Sequence, residues 1–129
     1  MSSDKIYRGF ADLEVWQHAR AFKQDVYVLI KSFPKEENFR LTDQLTRAAR
    51  SIPANIAEGY GRYTYRDQLH FCIQARGSLF ECLNHIIDAM DCHYISAQIK
   101  VDYEHKLVVV EKMLNGYITW LRKMMKDDQ

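Results

Sequence analysis

Apolar residues recur at intervals of three and four along four stretches of this chain, the spacing of one face of an α-helix, and no stretch alternates as a strand would. The first stretch follows Asp12, a suitable N-cap, and carries Trp16, Ala19, Phe22, Val26, Leu29 and Phe33, with Val15 and Ile30 widening the stripe. It predicts about six helical turns. Pro34 ends it, because the residue before a proline is pushed out of the helical region. Lys35 to Asn38 then reads as a short loop. The second stretch, Arg40 to Arg62, turns Leu41, Leu45, Ala48, Ile52, Ile56 and Gly59 inward. Pro53 cannot donate to the Ala49 carbonyl, which predicts a kink, with Ser51 able to cover a freed group. Gly59 and Gly61 suit a left-handed helix end. The third opens near Tyr65 behind a Thr64 and Asp67 capping pair. Its seam is Leu69, Cys72, Arg76, Leu79, Leu83, Ile86 and Met90, supported by Ile73, Phe80 and Ile87. Ser96 caps the fourth, whose inward stripe is Ile99, Tyr103, Val110, Leu114, Tyr117, Leu121 and Met124, with Leu107 beside it. Val108, Val109, Met113 and Trp120 spread onto its other faces, a surplus that marks a protein contact.

Four amphipathic helices joined by three short connections predict an all-α fold, most simply an antiparallel up-down-up-down four-helix bundle over residues 10–125. A polar arm, 1–9, precedes it and a short tail, 126–129, follows. A chain of 129 residues that is 47% hydrophobic is expected to form one domain with a substantial core. The N-terminus lacks an apolar signal core and no window approaches 18 uninterrupted apolar residues, so a cytoplasmic protein with no membrane partner is expected. Cys72, Cys82 and Cys92, at ten-residue steps, fit neither a disulfide framework nor a paired-cysteine zinc motif and read as reduced, mostly structural thiols.

Beside the core face of the second helix runs a wholly polar stripe: Arg40, Gln44, Arg47, Ser51, Asn55, Glu58 and Arg62. It is either a solvated face carrying an i,i+4 pair, Glu58 to Arg62, or a polar seam that faces another subunit or lines a site for phosphates. The net charge of +1, from 18 basic and 17 acidic residues, gives no global pull toward nucleic acid. The distribution is less even: six of nine arginines lie between positions 40 and 76, with no lysine and three acidic residues among them. Arginine without lysine points to geometry, since the guanidinium fork matches carboxylate or phosphate. Arg76 sits on the third helix where an apolar side chain belongs, so it should meet a carboxylate, Glu58 being the candidate, or snorkel to the bundle edge. Gly77 beside it leaves room for another helix to approach. The five histidines form no His-x-x-x-His or Glu-x-x-His pair, Gly59-Tyr60-Gly61 lacks a third glycine and a preceding strand, and Ser78 has no evident base. No metal, cofactor or catalytic set is expected, and the chain is read as not an enzyme.

Several segments taken together resemble a known family. They are Phe10-Ala-Asp-Leu-Glu-Val-Trp-Gln-x-Ala19, Phe33-Pro34, Gln44-Leu45-x-Arg47-Ala48, Ser51-Ile-Pro-Ala-Asn-Ile-Ala-Glu-Gly59, Gly61-Arg62 and Ala75-Arg76-Gly77-Ser78-Leu79-x-Glu81. They resemble, over about residues 10 to 122, the bacterial four-helix-bundle proteins named for 23S rRNA intervening sequences, in which some of their genes lie. The resemblance implies a bundle assembled as a ring-like homo-oligomer, a pentamer. It is also similar in fold to the accessory variability proteins of diversity-generating retroelements, basic pentamers that bind a reverse transcriptase and nucleic acid. The near-neutral charge departs from those basic proteins. The expectation is a non-catalytic homo-oligomer that binds structured RNA, or an RNA-associated protein such as a ribosome-associated one, through Arg47, Arg50, Arg62 and Arg66. Ser51, Asn55, Glu58 and Arg76 are expected in a subunit interface or a buried polar network. The alternatives are an accessory subunit of a reverse transcriptase, or a structural adaptor whose polar stripe lies between subunits.

Overall fold

The protein is described over residues 9–127 in a computed structural model. Four helices account for most of it: α1 (Glu14–Leu29), α2 (Leu41–Tyr60), α3 (Tyr65–Asp91) and α4 (Ala97–Asp127). No strand occurs among the described residues. The helices pack pairwise, α1 with α2, α2 with α3, α3 with α4 and α1 with α4, around one core, as in a four-helix bundle. The arm assigned to residues 1–9 lies outside the described residues except for Gly9. Of the tail, Lys126 and Asp127 continue α4, and 128–129 lie outside the described residues.

Each helix starts and stops for a local reason. Residues Phe10–Asp12 wind into a short 3-10 turn with the Phe10 ring edge-on to Trp16 at 5.0 Å. The residue ahead of α1 is therefore Leu13, not Asp12, and no side chain caps this end. The helix ends at Leu29, four residues before Phe33, and a second 3-10 turn, Ile30–Ser32, leads to the extended Phe33 and Pro34. Where a loop was expected, Lys35–Glu37 winds into a third 3-10 turn, and the Glu37 carboxylate accepts from Leu41 N at 3.3 Å, at the start of α2, and from the Tyr94 hydroxyl at 2.6 Å. The Tyr94 bond, followed by that to Leu41, holds the Glu37 carboxyl below its ordinary range. Thr64 Oγ1 accepts from Asp67 N at 3.1 Å and Ser96 Oγ from Ile99 N at 3.1 Å, the two caps expected of α3 and α4.

The core face of α2 is the expected one, with Leu41, Leu45, Ala48, Ile52, Ile56 and Gly59 all buried, joined by Ala49 and Pro53. Ser51 Oγ donates to the Ala48 carbonyl at 3.0 Å, one residue before the carbonyl that Pro53 leaves free. Neither Gly59 nor Gly61 adopts a left-handed conformation, and Gly61 has φ −79°. Gly59 is needed for packing: a Cβ there would lie 2.9 Å from Phe71 Cβ and 3.1 Å from the Gln68 carbonyl oxygen. The left-handed end belongs to α3. His93 takes φ 63°, with His93 N bonded to Met90 O and Tyr94 N to Ala89 O, both at 2.9 Å, the paired bonds of a Schellman ending. A non-glycine residue in that conformation is strained. His93→Gly is expected to raise the unfolding free energy by about 0.5–1 kcal/mol, net of glycine's greater unfolded-state freedom, as read by urea denaturation.

On α3 the buried line is Cys72, Ala75, Leu79, Cys82, Ile86 and Ala89. Small residues occupy four of these six positions, so α2 and α4 come close and Arg76, with Leu69, Leu83 and Met90, falls on its flank. Gly77 has nothing within 4 Å of an added Cβ, so no helix among the described residues uses the room it leaves. On α4 the core is Leu107, Val110, Leu114, Ile118 and Leu121, while Ile99 is exposed. Tyr103 OH donates to Asp25 O at 2.8 Å and Lys106 pairs with Asp25 at 3.4 Å, tying α4 to α1. No helix among the described residues is long and apolar enough to cross a membrane.

Candidate functional site

The polar stripe of α2 lies on the side of that helix turned toward α3, just outside the core. Ser51 Oγ and Ser78 Oγ share a 2.6 Å hydrogen bond across the two helices, and Asn55 Nδ2 donates to the Ser51 carbonyl at 2.8 Å. Farther along, the Arg62 guanidinium lies 4.7 Å over the Phe71 ring of α3, where a cation meets the negative face of the aromatic system. The two serine hydroxyls therefore fasten the helices to each other, the Asn55 amide bonds back within α2, and the charged members lie outside.

The four arginines expected to bind are all exposed, but they do not converge. Arg47 pairs with Asp43, one turn back, at 3.0 Å and remains 79% exposed. Arg50 leans the other way, its Nε donating to the Tyr27 hydroxyl of α1 at 2.9 Å. Arg62 pairs with Glu58 at 3.0 Å. Arg66, on the first turn of α3, has no ion-pair or hydrogen-bond partner among the described residues. At about 1.5 Å per residue, Arg47 and Arg62 are about 20 Å apart. The set is an extended edge, not a pocket. Its two ion pairs are solvent-exposed ones, worth about 0.2–1 kcal/mol each, so an incoming phosphate could displace Asp43 or Glu58 at little cost.

Ser51, Asn55, Glu58 and Arg76 do not form one network. Glu58 is held by Arg62, two residues past the end of α2, and Arg76 lies on the opposite flank of α3, half-buried, its Nη1 donating to Asn115 Oδ1 of α4 at 3.0 Å. The displacement of the α3 seam accounts for this: with Ala75 and Leu79 facing the core, Arg76 points to α4 and cannot reach α2. A neutral amide satisfies the guanidinium geometrically without cancelling its charge.

Other features answer to chemistry that the arrangement lacks. Among the described residues no group of three or more His, Cys, Asp or Glu side chains is placed to hold a metal. Cys72 and Cys82 are buried, and burial pushes their thiols up to about 11 and about 12, with the Glu81 charge adding to Cys82. Such thiols are poor nucleophiles at neutral pH. Grooves of 170 and 320 Å³ flank α1 and α4, away from the arginine edge.

The family profile described as 23S rRNA-intervening sequence protein matches residues 11–116. The chain belongs to this family. Among solved structures it is similar to a protein of unknown function from the S23 ribosomal protein family of Bacteroides thetaiotaomicron VPI-5482. That likeness has a TM-score of 0.74 at 20% identity, covering 81% of this chain and 97% of the other. At that identity it speaks to the fold. No curated protein matches. Within this family member, the partners of the arginines came from places no local pattern marks: Tyr27 lies 23 residues before Arg50, and Asn115 lies 39 after Arg76. Only the i,i+4 pairs, Asp43 with Arg47 and Glu58 with Arg62, are written in the spacing.

Proposed function

We propose that this intervening sequence protein is a non-catalytic, cytoplasmic homo-oligomer that binds structured RNA through the edge carrying Arg47, Arg50, Arg62 and Arg66. The observation that carries this reading is the exposure of all four arginines along α2 and the start of α3, with weak surface pairs, a phenol and an aromatic ring as their contacts. An extended row of forked donors suits a phosphate backbone better than a compact ligand. An antiparallel up-down-up-down arrangement is supported by contacts whose numbers fall on one helix as they rise on the next. Ser51 meets Ser78 while Gly59 meets Phe71, and Tyr65 meets Trp120 while Arg76 meets Asn115. Fluorescence anisotropy with a labelled structured RNA across a salt series tests the function. Each phosphate contact contributes about −0.7 to −0.9 to the slope of log affinity against log salt, so replacing all four arginines by alanine should flatten that slope by about three. An unchanged slope would remove the reading.

A second reading is favoured by a separate observation on α3. Ile73, Gly77 and Phe80 form an exposed stripe at helical spacing, and the space over Gly77 is empty. The stripe supports a self-association face beside Arg76, compatible with the ring-like pentamer implied by the family resemblance. Phe80→Asp is expected to lower the oligomer mass in sedimentation velocity while leaving the helical circular dichroism intact. An unchanged mass would exclude this face from the contact.

A further inference from the structure

The end of the molecule formed by the α2–α3 turn and the last turns of α4 carries an aromatic group that neither the core nor the arginine edge requires. Trp120 is 45% exposed. Its ring stacks on Tyr117 at 5.7 Å with 12° between planes, and Tyr65 meets it edge-on at 6.0 Å. These two contacts leave nearly half of the Trp120 side chain open to solvent. Gly116, one turn earlier on the same helix, puts no side chain over it, with nothing within 4 Å of an added Cβ. Two residues before Tyr65, Tyr63 is 101% exposed.

Charge follows the aromatics. The segments 60–67 and 116–127 that build this end hold five basic residues and two acidic ones, +3, where the whole chain carries +1. The remainder of the protein is therefore net −2 in formal charge, and even with Glu58, the partner of Arg62, counted in, this end keeps a positive excess of +2. Arg66 is exposed next to Tyr65, and Lys123 is exposed one turn beyond Trp120.

Resting on the RNA-binding reading above, we infer that this end is a stacking platform for unpaired nucleotides. A base stacks on the exposed part of Trp120, beside the Tyr117–Trp120 stack, while Arg66 and Lys123 take the neighbouring phosphates. Paired bases are sheathed in their own helix and cannot present a face to an indole, whereas bases in loops, bulges and ends can. Every base has a π-face, so such a platform binds unpaired RNA with little sequence preference. The surplus of positive charge at this end favours the approach of the strand.

The test uses the full-length protein with two fluorescein-labelled probes of equal length, an oligouridylate and a blunt RNA duplex. Trp120→Ala should weaken oligouridylate binding by tenfold or more and leave duplex binding unchanged. Because Trp120 also packs on Tyr65 and Tyr117, a second measurement avoids truncating it. In the Trp16→Phe variant Trp120 is the remaining tryptophan, and its emission should be quenched by oligouridylate and little affected by the duplex. Equal loss of both probes, or an unquenched Trp120, would overturn the platform. Duplex binding that depends on the four edge arginines, with no oligouridylate binding, would overturn it and leave the RNA-binding reading standing. Failure of both probes, with a protein partner binding instead, would remove both readings.

Discussion

Gly59→Ala should destabilise the protein by about 1–3 kcal/mol, although alanine is the better helix former. The added methyl would meet Phe71 Cβ at 2.9 Å and the Gln68 carbonyl oxygen at 3.1 Å. Neither is the far end of a flexible side chain: one is fixed to the α3 backbone and the other belongs to it. Relief requires α2 and α3 to separate, and their separation would loosen Ile52, Ile56, Cys72 and Ala75, which are all buried in the shared core. The lost packing outweighs the gain of about 1 kcal/mol in helix propensity. Gly116→Ala provides the control. That glycine lies in α4 with nothing within 4 Å of the added carbon, so the same substitution should stabilise by about 0.5–1 kcal/mol. Guanidinium denaturation of both variants reads the difference, with opposite signs expected. A Gly59→Ala protein as stable as the parent would mean that the two helices do not approach as closely as described.

The core face of α2 was legible because large aliphatic residues mark it without ambiguity. The face of α3 was not. Its buried positions alternate Leu79 and Ile86 with Ala75, Cys82 and Ala89, and an eye weighting size places the seam on Leu69, Leu83 and Met90, one flank away. That shift alone moved Arg76 from an imagined buried site facing Glu58 to a half-buried one facing Asn115. Small buried residues become visible only when a neighbour's position is known. The same holds for Gly59, whose constraint comes from Phe71 on another helix, and for Glu37, whose tie to Tyr94 spans 57 residues. Caps at Thr64 and Ser96 were readable because their partners lie three residues away. For the candidate site, the concentration of arginines was plain in the sequence, and the Glu58–Arg62 pair followed from spacing. It could not say that Arg50 turns to α1 and Arg62 to α3, because the direction of a flanking residue depends on which helix lies on which side.

Alkaline pH should unfold this protein through Cys82. In the unfolded chain the thiol titrates near 9.0, and in the fold burial first, and the Glu81 carboxylate second, push it up to about 12. Between those values the folded state keeps a proton that the unfolded state has released. Stability therefore falls as pH rises through this window, by about 1.4 kcal/mol per pH unit for a fully developed difference, and is undiminished below it. Cys72 contributes with the same sign, its thiol raised by burial to about 11, and so does the Tyr117 hydroxyl, raised to about 12 by burial and then by the nearby Cys72. Many surface groups also titrate in this range, so the comparison must be internal. Denaturant midpoints under reducing conditions from pH 8 to 10.5 should drop more steeply for the parent than for Cys82→Ala. The variant starts less stable, having lost a buried sulfur, and the two curves should converge as pH rises. Parallel curves would place the Cys82 thiol in contact with solvent and remove burial as the source of its resistance to ionisation.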